Sequence, residues 1–301
     1  MKLRSIELAL PDPASAAAFM AGIWGMAPCE VRGETHYLRG SGPFPYLVAF
    51  EKAAEEFVRS TTFVCDAAEL AAVAAKVTEA GWVARPVTST DPGEGSGILV
   101  ELPEGELLRF LVDTGEVAPI EGRDLPVKLT HVVFNSADAE ASGLAVEQVL
   151  GFRVSDRTKG MVFVRCNESH HSTAFARAGF SSLNHIAFEM QDIDAVMRGI
   201  GRLRDHAQAP AWGPGRHGPG ANVYAYYIAP FGPVIEFSTA VEKVPEDYRA
   251  GTPDDWTWPP NRIDQWGISD KDFAGLRAAE ERFRFRRDWE PAPLARIGLE
   301  Y

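Results

Sequence analysis

Several features are scarce in this sequence, and each scarcity excludes a class of protein. Its 301 residues contain three cysteines, Cys29, Cys65 and Cys166, which are widely spaced and odd in number. We therefore expect neither a disulfide framework nor a Cys-x-x-Cys metal site. Positive charge is also scarce, because 30 Lys and Arg residues stand against 42 Asp and Glu residues and leave a net charge of -12. Nucleic acid and anionic membranes repel such a chain, so neither is expected as a partner.

Long apolar runs and an N-terminal targeting segment are missing as well. The apolar stretch at 70–75 is far shorter than the roughly 20 residues that a membrane-spanning helix needs. The N-terminus reaches Pro11 and Asp12 without the apolar centre of a signal peptide. With 46% hydrophobic and 24% charged residues, the composition is typical of a globular protein. We expect a cytoplasmic protein.

The chain repeats one order of elements four times: a strand, an amphipathic helix and then shorter strands. The four segments cover roughly residues 2–50, 59–115, 127–177 and 182–239. In the fourth segment, the spacing predicts a strand over 183–190 and a helix over 193–203. This order of elements predicts an α+β fold built from four modules.

The modules group into two predicted domains and a tail. A charged, glycine-containing stretch at 116–124 shows no periodicity, which is typical of a linker. We therefore predict an N-terminal domain at 1–118, a second domain at 126–240 and a C-terminal tail at 241–301 with a helix over 271–285. Three tryptophans of the tail, Trp256, Trp258 and Trp266, are expected either to clamp it onto the domains or to line a pocket.

Two histidines and one glutamate suggest a metal site in the second domain. His131, His185 and Glu236 each lie in the middle of a short, strand-like apolar run. Because side chains alternate along a strand, the apolar neighbours of each residue point to the core and the three polar side chains point the other way. Two imidazoles and a carboxylate on one face leave three coordination positions open, an arrangement suited to Fe(II), although Mn(II) and Zn(II) also accept these ligands.

The first half repeats the layout without these side chains. Aligning the runs places Ser5, Thr62 and Arg109 where the second half has its two histidines and glutamate. We therefore expect a metal in the second domain alone.

At these residues the chain resembles the type I extradiol ring-cleavage dioxygenases of the vicinal oxygen chelate superfamily, closest to the homoprotocatechuate and catechol 2,3-dioxygenase branches. His171, in the segment 167–175, matches the family's acid-base histidine. His217, in the Gly-rich segment 213–218, and Tyr226 match residues that contact substrate and oxygen. The resemblance implies that paired βαβββ modules form two incomplete barrels and that His131, His185 and Glu236 bind Fe(II).

The activity implied by the resemblance is cleavage of a catechol-type ring by O2 beside its two hydroxyl groups, in the catabolism of aromatic compounds, by a homo-oligomer. His171 would move protons, with its neighbour His170 as the competing candidate. Two other classes stay open on the same fold: a glyoxalase-type metal-dependent lyase or isomerase, and a protein that only binds a small molecule.

One departure from the family concerns the substrate. The homoprotocatechuate enzymes have a carboxylate-binding arginine where this chain has Trp212, so we expect a substrate that is neutral or apolar at that point. Asn222 or a tail residue such as Arg262 could instead supply a polar contact, and an acidic catechol would then fit.

Overall fold

The computed structural model describes residues 1–285 and contains two eight-stranded mixed sheets with helices packed on them. The first sheet is formed by the following strands in chain order: β1 (Lys2–Leu10), β2 (Ala27–Arg32), β3 (Thr35–Arg39), β4 (Val48–Lys52), β5 (Phe57–Val64), β6 (Val83–Thr88), β7 (Ser96–Glu101) and β8 (Leu107–Val112). The second sheet is formed by β9 (Lys128–Ser136), β10 (Arg153–Arg157), β11 (Met161–Arg165), β12 (Thr173–Arg177), β13 (Ser182–Glu189), β14 (Trp212–Arg216), β15 (Val223–Ile228) and β16 (Val234–Thr239).

Each helix begins at an aspartate whose side chain accepts a hydrogen bond from a backbone N–H of the first turn, as is typical of N-cap residues. The helices are α1 (Pro13–Phe19), which continues as a π-helical turn at Met20–Trp24, α2 (Ala67–Glu79), α3 (Ala139–Leu150), α4 (Ile193–Asp205) and α5 (Phe273–Arg282). The capping residues are Asp12, Asp66, Asp138, Asp192 and Asp272.

The two sheets have the same strand order. The first runs β2-β3-β4-β1-β5-β8-β7-β6 and the second runs β10-β11-β12-β9-β13-β16-β15-β14. In both, two central strands pair antiparallel, β1 with β5 and β9 with β13, and each has a parallel strand on its other side. Each sheet therefore consists of two βαβββ modules, which confirms the predicted α+β fold class.

A continuous apolar core joins the two halves. The Trp24 ring stacks on Phe237 with ring centroids 3.7 Å apart, and Phe63 meets Phe152 edge to face at 5.2 Å. The helical faces and one face of each sheet supply this core, so the opposite sheet faces are left for polar side chains. The domain bounds stay a prediction, although no helix or strand occurs between β8 and β9.

Two elements of the structure bear on the sequence-based expectations. The Gly-rich segment at 213–218 begins as a strand, because β14 occupies 212–216 and pairs with β15. The helix expected over 271–285 is shorter, since α5 covers Phe273–Arg282. The end of the tail, 286–301, lies outside the described residues. Within residues 1–285, none of the helices combines the length and apolar character needed to cross a membrane.

Candidate metal centre

His131, His185 and Glu236 converge on one point at the centre of the second sheet. They lie on β9, β13 and β16, three adjacent strands, and all three are almost completely buried. The Nε2 atoms of His131 and His185 are 3.2 Å apart, and Glu236 Oε2 lies 3.3 Å from the first and 3.2 Å from the second. Three potential ligand atoms from distant parts of the chain thus form one triangle.

The triangle has the size that a bound metal ion requires. Ligand atoms about 2.1 Å from a common ion are about 3.0 Å apart at right angles and about 3.4 Å apart in a tetrahedron. The observed separations of 3.2–3.3 Å fit a single ion in either geometry. The donor set therefore fits the metal that the resemblance implies, and the distances alone do not choose among Fe(II), Mn(II) and Zn(II).

Neighbouring amides orient two of the three ligands. His185 donates from Nδ1 to Asn184 Oδ1 at 2.6 Å, which leaves its Nε2 free to bind a metal. Asn222 donates from Nδ2 to Glu236 Oε1 at 3.2 Å and leaves Oε2 facing the histidines. The sequence offered Asn222 as a possible polar contact to the substrate, which stays a prediction; in the structure Asn222 positions Glu236.

The residue Asn184 was missed because β13 is not a regular strand. Its register with β9 shifts between Leu183 and His185, so Asn184 and His185 both reach the cavity. Asn184 in turn donates to Asn135, and Asn135 donates to Glu280 on α5. Strict alternation of side chains along a strand places adjacent residues on opposite faces. It therefore does not predict the hydrogen bond between the neighbours Asn184 and His185.

The electrostatics of the site favour a cation. Burial alone would raise the pKa of Glu236, but His131 and His185 lower that pKa well below its ordinary value, so the carboxylate is ionised. Burial lowers the pKa of His185 and outweighs the opposing effect of Glu236. An ionised carboxylate beside an imidazole whose protonation is disfavoured by burial suits metal binding, which needs deprotonated ligands.

The site opens into a cavity of about 460 Å³. Seven of the residues predicted from the sequence for the site line this cavity, and Glu236 is buried beside His131 and His185: the seven are His131, His171, His185, Trp212, His217, Asn222 and Tyr226. The C-terminal segment, residues 241–285, contributes Trp258, Ile263, Lys271 and Phe273. Of the three tail tryptophans, Trp258 therefore lines the cavity, whereas Trp266 packs against the Arg216 guanidinium.

The two neighbouring histidines occupy different environments. The His171 ring lies 4.2 Å from the His131 ring and lines the cavity, and its burial lowers its pKa far below the ordinary histidine value. His170 is fully buried, and its Nε2 lies within hydrogen-bond distance of Asp156 Oδ2, at 2.7 Å. The backbone at Gly220 lies close to both histidine rings, because a Cβ atom there would be only 2.9 Å from His170 Nδ1.

His217 and Tyr226 form a second polar pair in the cavity wall, with His217 Nε2 2.9 Å from the Tyr226 hydroxyl. Burial lowers the pKa of His217 to about 3 and, with help from the Glu236 charge, raises the pKa of Tyr226 well above its ordinary value. The imidazole is thus neutral and the phenol stays protonated. Tyr224 stacks on the His217 ring and donates to buried Asp264 of the C-terminal segment.

The first half offers different counterparts from those aligned by sequence. In the second sheet His185 pairs with Val133, two positions after His131. In the first sheet Ser60 pairs with Glu7, which is likewise two positions after Ser5. Thr62 instead pairs with Ser5 itself. The counterpart of His185 is therefore Ser60, and the expected alignment with Thr62 was wrong by two residues, because the strand register rather than local sequence similarity fixes it.

Comparisons with known proteins agree with this geometry. The family model of the Glyoxalase/Bleomycin resistance protein/Dioxygenase superfamily matches residues 128–237. Metapyrocatechase 2 from Cupriavidus necator is 27% identical over 126 residues, which are 41% of this chain and 39% of that protein. The chain is thus matched over about two fifths of the relative's length. Residues 128–237 form a domain of this superfamily, as the sequence motifs indicated.

Solved structures resemble most of the described fold. A Mn(II)-bound glyoxalase from Novosphingobium aromaticivorans has a TM-score of 0.83 and 29% identity, with 91% of this chain and 93% of that chain covered. Homoprotocatechuate 2,3-dioxygenase from Arthrobacter globiformis has a TM-score of 0.79 and 24% identity, with 89% and 88% covered. The Brevibacterium fuscum enzyme, in complex with 3,4-dihydroxyphenylacetate, has a TM-score of 0.83 and 20% identity, with 93% and 92% covered. These two dioxygenases show the shared fold.

Proposed function

We propose that this chain, whose residues 128–237 form a glyoxalase/bleomycin resistance protein/dioxygenase superfamily domain, is an Fe(II)-dependent extradiol dioxygenase that cleaves a catechol-type ring with O2. The observation that carries the proposal is the convergence of His131, His185 and Glu236 at the base of a cavity that also contains His171, His217 and Tyr226. A structural histidine cluster would not need these titratable groups around an open metal position. The activity belongs to the breakdown of aromatic compounds.

The three ligands face the cavity from one side and leave the opposite side for reactants. Bound Fe(II) would supply adjacent positions for the two diol oxygens and for O2, together with the redox step between them. The chain's own contribution is to hold this ligand triangle in place through Asn184 and Asn222. Both oxygen atoms of O2 enter the product, and the ring opens at the carbon–carbon bond beside the diol.

His171 is the acid-base residue in this proposal. It lines the cavity next to His131, whereas His170 does not belong to the cavity lining among the described residues. Its low pKa, caused by burial, keeps the imidazole neutral and able to accept a hydroxyl proton from the diol and to return it later. Tyr226, which remains protonated, would donate to the anionic diol oxygen, and neutral His217 supports that hydroxyl.

The cavity wall indicates a substrate with an anionic substituent. Trp212 stacks on Tyr226, and the Lys271 ammonium lies 4.1 Å from the centre of the Trp212 ring. Among residues 1–285 this ammonium has no carboxylate at ion-pair distance; burial lowers its pKa, and the charge of Glu280 in the same cavity wall opposes that shift. A carboxylate, such as that of the 3,4-dihydroxyphenylacetate bound to the Brevibacterium fuscum enzyme, would supply a direct ion-pair partner. This proposal takes the acidic alternative to the neutral substituent expected from Trp212. Lys271, which lines the cavity, supplies the cation in place of Arg262.

The decisive experiment is anaerobic loading with Fe(II) followed by oxygen-uptake measurements with catechol, 4-alkylcatechols and 3,4-dihydroxyphenylacetate. One O2 consumed per diol, with a ring-opened product, supports the proposal. Absence of turnover with every diol, in protein that has bound iron, rules it out.

Specificity is tested with two matched variants. The Lys271→Met variant keeps the aliphatic stem and should lower kcat/KM for the carboxylated diol by roughly 10- to 100-fold relative to catechol, the value of a charge-assisted hydrogen bond. The Arg262→Met variant removes a tail cation outside the cavity and should leave the ratio unchanged. Equal ratios in wild type and Lys271→Met contradict the role of Lys271 without affecting the proposed ring cleavage.

A second candidate function follows from the Mn(II)-bound glyoxalase, which shares 29% identity over most of this chain. The ligand triangle admits Mn(II), and His171 could move a proton between neighbouring carbons of a thiol adduct of a 2-oxoaldehyde. The test is isomerisation of such an adduct by the Mn(II)-loaded protein without O2. Turnover there, combined with no oxygen uptake on diols, would favour the glyoxalase-type reaction.

A further inference from the structure

A carboxylate and two imidazoles form a line that begins in the protein interior and ends at the cavity. Asp156 Oδ2 on β10 lies 2.7 Å from His170 Nε2, and His170 Nδ1 lies 3.0 Å from His171 Nδ1. Asp156 and His170 are 0% exposed and His171 is 3% exposed. Of the three, only His171 lines the cavity within the described part of the chain.

Both hydrogen bonds take a single direction when Asp156 is a carboxylate and His170 is a neutral imidazole. A carboxylate only accepts, so His170 then donates from Nε2 to Asp156. The neutral ring carries no second hydrogen, so His170 Nδ1 is an acceptor. The hydrogen between the two rings therefore belongs to His171 Nδ1, and His171 Nε2 has a free electron pair.

The C-terminal segment holds the start of this line. Asp156 Oδ1 accepts a hydrogen bond of 2.6 Å from the Gly251 backbone N–H, and the Tyr248 hydroxyl lies 3.5 Å from Oδ2. A Cβ atom at position 251 would lie 2.4 Å from Asp156 Oδ1, so only glycine allows this approach. The carboxylate is thereby turned with one oxygen to the backbone and the other to His170.

We propose that Asp156 and His170 are positioning residues that keep His171 in the tautomer with hydrogen on Nδ1, so that Nε2 can accept a proton from the substrate. Without them, either nitrogen of His171 could carry the hydrogen, and the ring with hydrogen on Nε2 cannot act as a base through that atom. The inference rests on the proposed function only where it names the diol as the source of the proton. The tautomer itself can be measured without turnover.

The first measurement is nitrogen NMR of histidine-labelled protein, both metal-free and loaded with Zn(II), which is diamagnetic. The His171 signals are assigned by their loss in a His171→Asn variant. We expect wild-type His171 to carry its hydrogen on Nδ1. The Asp156→Asn variant replaces the obligate acceptor with an amide that can donate to His170 Nε2, which reverses the line and moves the His171 hydrogen to Nε2.

The second measurement separates catalysis from binding in the Fe(II)-loaded protein. Asp156→Asn should lower kcat roughly 100-fold, as expected for misplacing an acid-base group, while iron content and the anaerobic dissociation constant of the diol stay at wild-type values. Asp156→Glu, which restores an acceptor, should recover part of kcat. The matched control is Asp255→Asn, because Asp255 lies in the same segment, accepts from Thr252 and has no contact with the imidazole pair.

The outcomes distinguish the inference from the proposed function. Hydrogen on Nε2 of His171 in the wild-type protein overturns the inference and needs no variant to fold. Equal kcat values for Asp156→Asn and Asp255→Asn also overturn it. Hydrogen on Nδ1 in a protein that cleaves no diol upholds the positioning role and defeats the dioxygenase proposal instead.

Discussion

In the second half of the chain, three acceptor side chains on β9, β13 and β16 face a common point, whereas the matching positions of the first half carry three donors. Ser5 and Ser60 donate to the two carboxylate oxygens of Glu7 at 2.6 and 2.7 Å, and Arg109 forms an ion pair with Glu7 at 2.8 Å. Glu7 stands where the second half has Val133. The first half thus surrounds an internal anion with donors, and the second surrounds a cation position with acceptors.

The correspondence extends to the residue beside the site. Val48 of β4 pairs with Ile6, and in the same register Thr173 of β12 pairs with Val132. Tyr46 and His171 lie two positions before Val48 and Thr173, so they are counterparts. The Tyr46 hydroxyl donates to Glu7 Oε1 at 2.9 Å. The comparison teaches that this sheet face needs its buried charges balanced, and that either an internal ion pair or a bound ion can balance them.

The largest expected effect is loss of metal on changing Glu236, the carboxylate of the second half. The Glu236→Gln variant removes the anionic ligand, so the isolated protein should lose its metal and its activity. Metal analysis of wild type should give one ion per chain. Two ions per chain, or a full metal content in Glu236→Gln, would contradict the assignment of the two halves.

The next effect concerns stability and belongs to the first half. Glu7→Gln leaves Arg109 with Asp91 as its remaining ion-pair partner, so we expect the free energy of unfolding to fall by about 3 kcal/mol, at the low end for breaking a buried ion pair. Chemical denaturation of the metal-loaded protein measures it. Glu30→Gln, which removes an exposed partner of Arg32, is the control and should cost about 0–1 kcal/mol. A changed metal content in Glu7→Gln would break the comparison.

Turnover separates His171 from its counterpart Tyr46. His171→Asn should keep the metal and lower kcat by about 100-fold, the usual effect of removing a positioned acid-base group. Tyr46→Phe removes only a hydroxyl from the first half and should leave kcat unchanged. If His170→Ala were inactive because of lost proton transfer while His171→Asn turned over normally, the acid-base role would move to His170.

The smallest effect is a pH dependence of stability caused by Asp91, the second ion-pair partner of Arg109 in the first half. Burial would raise its pKa, but the Arg109 guanidinium holds that pKa far below its ordinary value. A depressed carboxyl pKa stabilises the folded state above the unfolded pKa, and this stability is lost as the pH falls. The unfolding free energies of wild type and Asp91→Asn should therefore differ by about 1–2 kcal/mol at neutral pH and converge below about pH 4. A constant difference from pH 7 to 3 would show that charge is not involved.

Much of this architecture could be predicted from the sequence. Four repeats of strand, helix and shorter strands gave the α+β modules, and the alternation of apolar residues around His131 and Glu236 gave the sheet face on which they lie. The equivalence of Thr62 and His185 was wrong, because alignment of short similar runs does not detect which strand residues pair. Asn184 was missed for a related reason, since a bulge changes side-chain direction without a sequence signal.

The sequence by itself determined the identity and the chemistry of the ligands, because periodicity and residue type are local properties. Only the tertiary structure decided which further groups complete the site. Asp156, Glu280 and Lys271 are separated from the triad along the chain and carry no motif, and strand pairing and the packing of the C-terminal segment bring them to the histidines. The charge inversion between the halves is likewise visible only after pairing, since Glu7 receives hydrogen bonds from side chains on β1, on β5 and in the loop before β4.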